Sequence, residues 1–268
     1  MRIIAPSVEI MRTGLETDMI IPEQFIEKVG RTCYKSEDKI TEDSAAKFVG
    51  NLIKRGHEAM IEHWNLIFKT DENYYDEMIA DWNAMQQSID IPLDDPLRPY
   101  LRFTDMLTPD GEMRYIVSGN MRAWRDYAKA CVQAMGAMPQ YMYGMIRNYP
   151  LFFPEYQDWV PAIIVNDILI PIAANELVGP AEHGVHHDVT VKFTTDRGVS
   201  HEIVRHRPAS YAQESTRYCN YAQDKFGSEI TVVRPSWCKD DSDIYREWEL
   251  ACRRAEGDYF LMLDKGCS

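Results

Sequence analysis

Three arginines and a histidine are concentrated in one short segment of this chain, residues 205–218. Arg205, His206, Arg207 and Arg217 lie there in a protein whose formal net charge is −13. A guanidinium group presents a planar fork of donors that fits a phosphate or a carboxylate. This arginine-rich segment therefore indicates a site for a small anionic ligand such as a nucleotide. Neutral side chains that can contact a base or a ring lie in the same segment: Ser210, Gln213, Ser215 and Tyr218.

The same residues could instead form a salt-bridged helix end, with Glu202 and Glu214 as the partners of the arginines. Structural ion networks also collect such residues, so spacing alone leaves the two interpretations open. A protein that binds a nucleic acid polymer would spread basic residues over a whole face and would usually be basic overall. The acidity of this chain therefore argues against a nucleic acid partner.

The composition is that of a globular protein of 268 residues, 45% of them hydrophobic, which is enough to bury a core. No apolar run reaches the ~18 residues that a membrane span needs, and the N-terminus lacks the apolar region of a secretory signal. The six cysteines are scattered without a Cys-x-x-Cys pair, which predicts free thiols and a cytoplasmic location.

Histidines at 183, 186 and 187 have the spacing of half a metal site. The residues that follow alternate between apolar and polar like a strand, and the His-Glu-x-x-His pattern of a zinc protease is absent. The sequence therefore predicts no metal.

Hydrophobic periodicity predicts the elements that must position the arginine-rich segment. The clearest helix follows Thr41, a candidate cap, and ends at Gly56, with apolar residues at 45, 48, 49, 52 and 53 on one face. The chain is expected to form one α+β domain. Further helices are predicted over 21–29, where Gly30 would end the helix, over 73–89 and 198–204, from 118–126 onwards and from Ser242. Strands are predicted over 2–10, 100–103, 114–117, 188–193 and 230–233. The strands at 100–103 and 114–117 are expected to pair through a turn at Pro109-Asp110-Gly111.

The arginine-rich segment resembles the signature of the flavin-dependent thymidylate synthases, which is Arg-His-Arg, seven residues and a serine. The similarity to bacterial and phage members covers roughly residues 1–69 and 186–268 and leaves 70–185 as a large insertion. The matching stretches are Arg205 to Ser215, the flanks 196–202 and 216–221, residues 30–36, and the pairs His57-Glu58 and Glu62-His63.

This resemblance implies an α+β fold with a central, mostly antiparallel sheet flanked by long helices. It also implies a methyltransferase that converts dUMP to dTMP with 5,10-methylenetetrahydrofolate, using FAD that NADPH reduces. Guanidinium groups would stabilise charge on the pyrimidine and make C5 more nucleophilic, so no cysteine nucleophile is needed. Family members are homotetramers whose sites form between subunits.

Residue roles follow from the resemblance by position. Ser215 and Arg207 would be catalytic, and whether Ser215 does more than donate a hydrogen bond stays open. The flavin would contact Asn65, Arg205, His206, Arg207, Gln213, Asn120 and Arg122. The nucleotide would contact Glu202, Arg205, Gln213, Glu214, Ser215, Thr216 and Arg217.

Two of these assignments have alternatives. Asn120 and Arg122 open a helix that resembles an Asn-x-Arg helix start found near the C-terminus of family members, but Asn120 could simply cap that helix. The histidine that approaches the flavin could be His63, or it could be His186 or His187.

The last difference from the family concerns the C-terminus, where members continue with further helices that contact substrate and flavin. The site would then be incomplete, or the 118–126 segment would replace those helices, or the chain would be truncated. The alternative function is a catalytically degenerate, nucleotide- and flavin-binding regulatory paralogue.

Overall fold

The computed structural model describes residues 2–12, 21–88, 101–163, 168–206, 209–214 and 231–233. Among these residues, no helix is both long enough and apolar enough to cross a bilayer. The α-helices are α1 (Pro22–Tyr34), α2 (Ser44–Lys54), α3 (Glu72–Ser88), α4 (Met121–Met135), α5 (Met142–Asn148), α6 (Gly179–His186) and α7 (Arg197–Ile203). The strands are β1 (Arg2–Ile4), β2 (Ser7–Arg12), β3 (Asn65–Thr70), β4 (Leu101–Leu107), β5 (Met113–Asn120), β6 (Ile170–Pro171), β7 (Thr190–Thr194) and β8 (Thr231–Val233).

The largest sheet is antiparallel throughout and has the strand order β4-β5-β3-β6. β4 and β5 form the predicted hairpin, whose turn contains Gly111 with a φ of +88°. In the pairing of β3 with β5, Asn65 lies opposite Asn120. The start of β3 and the end of β5 are therefore adjacent, together with the residues that precede β3 and follow β5.

Two smaller strand pairs involve the N-terminus. β1 pairs in parallel with β8, and β2 pairs antiparallel with β7. The prediction of one strand over 2–10 was wrong, because the chain divides at Ala5 and Pro6 into strands that belong to different sheets. Proline has no N–H to donate to a ladder, which is why such a break is favourable there.

Helices α1 and α2 pack closely against each other through Gly30. A Cβ at Gly30 would lie 2.7 Å from Cε1 of Phe48, so only glycine allows this approach. The prediction that Gly30 ends the helix was wrong, because α1 continues to Tyr34 and Lys35 follows in the left-handed conformation with a φ of 45°. The periodicity of α2 is confirmed, and its end is followed by Gly56 with a φ of +69°.

The core lies between the main sheet and helices α3 and α4, and much of it comes from residues 70–185. Trp124 and Tyr127 of α4 are fully buried, and the Phe68 ring of β3 meets the Trp124 ring edge-on at 5.4 Å. The buried Tyr127 hydroxyl lies 2.7 Å from the Tyr141 hydroxyl. The described residues within 70–185 are therefore continuous with the core that supports β3.

The α+β class is confirmed, as are the antiparallel sheet and the helices that pack against it. The helix predicted over 73–89 is α3, the helix start at 118–126 is that of α4, and the strand predicted over 188–193 is β7. The helix predicted from Ser242 lies outside the described residues. A single domain with an insertion at about 70–185 stays a prediction.

Candidate active site

Helix α7 ends at Ile203, two residues before the arginine-rich segment begins at Arg205. The Asp196 carboxylate caps it by accepting from the backbone N–H of Val199 at 3.0 Å. Arg205 and His206 follow in a turn, and both are exposed. The Arg205 guanidinium lies 3.2 Å from Oε1 of Glu202, one of the two acids that an ion network would use.

The pair between Arg205 and Glu202 is too exposed to be a structural ion bridge. Their side chains are 73% and 71% exposed, respectively. Exposed pairs of this kind contribute about 0.5 kcal/mol or less, because water and salt screen the charges. The Arg205 guanidinium can therefore engage an anion without disrupting the fold, as the ligand-site interpretation requires.

Residues 209–214, which we call the 209–214 loop, are held against α7. The side-chain amide of Gln213 donates to Oγ of Ser200 at 2.6 Å. Arg197 donates from its guanidinium to the carbonyl oxygen of Glu214 at 2.9 Å. Glu214, the second acid of the ion-network interpretation, therefore contributes its backbone carbonyl oxygen to this contact. Its partner, Arg197, lies outside the arginine-rich segment.

The turn that precedes β3, residues Glu58–His63, contacts the 209–214 loop directly. The hydroxyl of Ser210 donates to Oε2 of Glu62 at 2.7 Å. The other oxygen of Glu62, Oε1, lies 2.6 Å from Nη1 of Arg122. One carboxylate therefore joins the turn before β3, the first turn of α4 and the 209–214 loop.

Two predicted flavin-contacting residues, Asn120 and Arg122, lie at this junction. Asn120 caps α4, because its side-chain oxygen accepts from the backbone N–H of Ala123 at 2.9 Å. The capping alternative is thus present, whereas Arg122 is not simply solvated, since it pairs with Glu62. The buried Arg125 of α4 stabilises the turn before β3, because its guanidinium donates to Oε1 of Glu58 at 3.1 Å. The same guanidinium also donates to Glu155 at 2.6 Å.

Burial determines what each candidate histidine can do. Desolvation lowers the pKa of His63, although the adjacent Glu62 carboxylate opposes that shift, so the imidazole is neutral at pH 7. Its Nε2 is buried and has no hydrogen-bond partner among the described residues. A neutral ring with a free nitrogen can donate or accept one hydrogen bond, depending on the tautomer.

His186, the last residue of α6, is buried against two neighbouring strands of the main sheet, β4 and β5. Its Nδ1 lies 2.7 Å from Oγ of Ser118, and its Nε2 lies 2.7 Å from Oγ1 of Thr104. Burial lowers its pKa to about 4. The side-chain amide of Asn65, a predicted flavin contact, donates to the carbonyl oxygen of His186 at 3.1 Å.

The remaining candidates divide into two groups. The ring of His187 lies 6.1 Å from that of His183, and the described residues contain no group of three or more metal-ligating side chains. Arg207, Ser215, Thr216 and Arg217 lie outside the described residues, so their predicted roles stay predictions.

The sequence reasoning missed Glu62 as a member of the site, although its place directly before His63 was a signal.

The described residues combine an α+β fold, an exposed turn that carries Arg205, and a junction at Glu62 next to His63, whose Nε2 is buried. The family model described as thymidylate synthase complementing protein matches residues 172–268, which include this turn. The resemblance to the flavin-dependent thymidylate synthases is thus confirmed over the C-terminal third of the chain.

Curated relatives match 93 residues of the chain. The flavin-dependent thymidylate synthase of Thermococcus kodakarensis is 30% identical over 93 residues, which are 34% of this chain and 37% of that protein. The enzyme of the same name from Pyrococcus furiosus is 33% identical over 93 residues, with the same coverage. The chain therefore spans a little over a third of the length of the curated relatives that it matches. No solved structure matches it.

Proposed function

We propose that this protein is a flavin-dependent thymidylate synthase, which methylates dUMP to dTMP with 5,10-methylenetetrahydrofolate, FAD and NADPH. The observation that carries the proposal is the family match over 172–268 together with the exposed Arg205 guanidinium within it. The names of the relatives favour an enzyme over the regulatory paralogue.

The described side chains are of the types that a flavin and a nucleotide need. Arg205 supplies a guanidinium group for the phosphate or for charge on the pyrimidine oxygens. His63 supplies a neutral imidazole whose Nε2 has no hydrogen-bond partner in the part of the chain that the structure describes, which suits a ring carbonyl or a ring nitrogen. When bound, reduced flavin supplies the hydride that completes the methyl group.

The chain's own residues orient the reactants. The 209–214 loop carries Gln213 and Glu214, and hydrogen bonds with Ser200 and Arg197 anchor it to α7, which would limit the motion of a bound nucleotide. A positive field from Arg205 lowers the energy of negative charge on the pyrimidine ring, which makes C5 a better nucleophile. We also propose a cytoplasmic homotetramer with sites between subunits, as the family resemblance implies.

Tritium release tests this function. dUMP labelled with tritium at C5 loses the label to water when the methyl group replaces it. We expect release only when 5,10-methylenetetrahydrofolate, FAD and NADPH are all present. A yellow protein that binds dUMP but releases no tritium would favour the regulatory paralogue.

A matched pair of variants tests the role of the arginine turn. Arg205→Ala should lower kcat/KM for dUMP by about ten- to a hundredfold, the value of a charge-assisted hydrogen bond of ~1.5–3 kcal/mol. Arg55→Ala removes an exposed arginine just after α2 and should leave kcat/KM within twofold. Equal effects of the two substitutions would contradict the assignment.

A further inference from the structure

The Glu62 carboxylate has two partners that come from distant parts of the chain. Arg122 lies 60 residues away in sequence and Ser210 lies 148 residues away. Each oxygen of the carboxylate serves one of them, at 2.6 Å and 2.7 Å. The Glu62 side chain is only 12% exposed, so little water competes for these hydrogen bonds.

The backbone delivers Glu62 to this position through the register of the main sheet. Asn65 lies opposite Asn120, and the N–H of Met121 donates to the carbonyl oxygen of Trp64 at 2.8 Å. These contacts bring the turn before β3 against the first turn of α4. Glu62 then lies within reach of Arg122 without any contribution from the 209–214 loop.

The location of Arg122 is unfavourable unless an anion accompanies it. It occupies the first turn of α4, where the helix dipole presents its positive end. A cation there is repelled by the dipole, and the Glu62 carboxylate reverses that repulsion. Asp126, at 3.5 Å and partly exposed, is a weaker second partner.

We propose that Glu62 is a positioning residue that couples α4 of the insertion to the 209–214 loop, and so sets the loop for nucleotide binding. The carboxylate can hold Ser210 in one orientation only while Arg122 holds the carboxylate. The inference rests on the proposed function, because the loop is taken to bind dUMP. Arg122 and Ser210 act through Glu62, since each of them bonds to a different oxygen of its carboxylate.

A double-mutant cycle on KM for dUMP tests this coupling. We expect Arg122→Ala and Ser210→Ala each to raise KM about fivefold. The double variant should raise it about fivefold as well, because the second change removes a contact that the first has already released. Independent effects, which multiply to about 25-fold, would overturn the proposal.

Substitutions of Glu62 itself provide the second measurement. Glu62→Ala should raise KM for dUMP about tenfold and change kcat less than threefold. Glu62→Gln should restore part of that loss, because its amide oxygen can still accept from Ser210. Glu42→Ala, at an exposed glutamate, is the matched control and should leave KM unchanged.

The outcomes separate the coupling from the function. If the wild-type protein neither binds dUMP in a titration nor releases tritium, the proposed function fails and the coupling fails with it. If the wild type turns over and Glu62→Ala lowers only the thermal unfolding midpoint, with KM unchanged, the coupling alone is wrong. If KM rises for Glu62→Ala and the cycle is non-additive, both stand.

Discussion

Replacing His186 with glutamine should remove an acid-sensitive contribution to the stability of the sheet that supports the site. In the native protein the neutral imidazole is fully buried between the hydroxyl groups of Ser118 and Thr104. Burial and the nearby Arg102 guanidinium disfavour the protonated ring, and they outweigh the Glu182 carboxylate, which favours it. The folded protein therefore takes up this proton less readily than the unfolded chain.

The magnitude follows from the two pKa values. The pKa of His186 is about 4 in the folded protein, against 6.5 for an unperturbed histidine. Each pH unit between these values changes the free energy of unfolding by about 1.4 kcal/mol. Above pH 6.5 the imidazole is neutral in both states, so this contribution to the pH dependence vanishes. As the pH falls from 6.5 to 4, the unfolded chain binds the proton before the folded protein does. The free energy of unfolding therefore falls by about 3 kcal/mol over this window, and about 2.5 kcal/mol of that loss is reached at pH 4.5.

Urea unfolding of the wild type and of His186→Gln at several pH values between 7.5 and 4.5 measures this term. At neutral pH the variant should be less stable by about 1–2 kcal/mol, since a buried hydrogen bond is weakened. The difference should shrink or reverse by pH 4.5, because the variant has no proton to gain at this position. Carboxylates and the buried His63 titrate in both proteins and cancel.

An exposed histidine provides the control for this comparison. His201→Gln, on α7, should keep the pH dependence of the wild type. If the stability curves of the wild type and His186→Gln run parallel from pH 7.5 to 4.5, the reasoning about His186 is refuted.

Four further substitutions test packing and backbone conformation elsewhere in the protein. Glu182→Ala should lower the free energy of unfolding by about 3 kcal/mol in urea titrations, because Arg114 of β5 loses the fully buried carboxylate that compensates its charge. A loss below about 1 kcal/mol would contradict this. Tyr141→Phe removes a buried hydroxyl that donates to Asp81 at 2.6 Å, so it should cost about 1–3 kcal/mol in thermal unfolding, and a neutral result would show that the bond is dispensable. Gly136→Ala forces a Cβ onto a φ of +64° and should destabilise by about 1 kcal/mol, whereas Gly50→Ala inside α2 should stabilise slightly; effects of the same sign would be inconsistent with this backbone argument.

Local signals were sufficient for much of the fold. The apolar face of α2 and the turn at Gly111 depend on residues within one or two turns of each other, so the sequence predicts them without knowledge of the tertiary structure. Gly30 instead lies inside α1 against the Phe48 ring, so it serves the packing of α1 on α2 and does not end the helix. No local pattern distinguishes these two uses of glycine.

The candidate site was less predictable from local sequence than the fold was. The arginine-rich segment is visible in the sequence because its residues are contiguous, and its family resemblance was confirmed by the comparisons. The partnership of Glu62 with Arg122 and Ser210 could not be predicted, because it depends on the register between β3 and β5 and on a loop far along the chain. The environment of His186 likewise depends on hydroxyl groups that two different strands supply.

Residues 113–120 and 170–171 help to position the candidate site. Both neighbours of β3 in the main sheet, β5 and β6, come from within residues 70–185. Since β3 begins two residues after His63, its backbone pairing with β5 and β6 helps to fix the position of this histidine. Among the described residues, β3 pairs with no strand from outside 70–185. The same pairing places Arg122 beside Glu62, and the other oxygen of that carboxylate accepts from Ser210 of the 209–214 loop. A stretch of chain that the arginine signature does not include therefore holds the turn to which the loop is bonded.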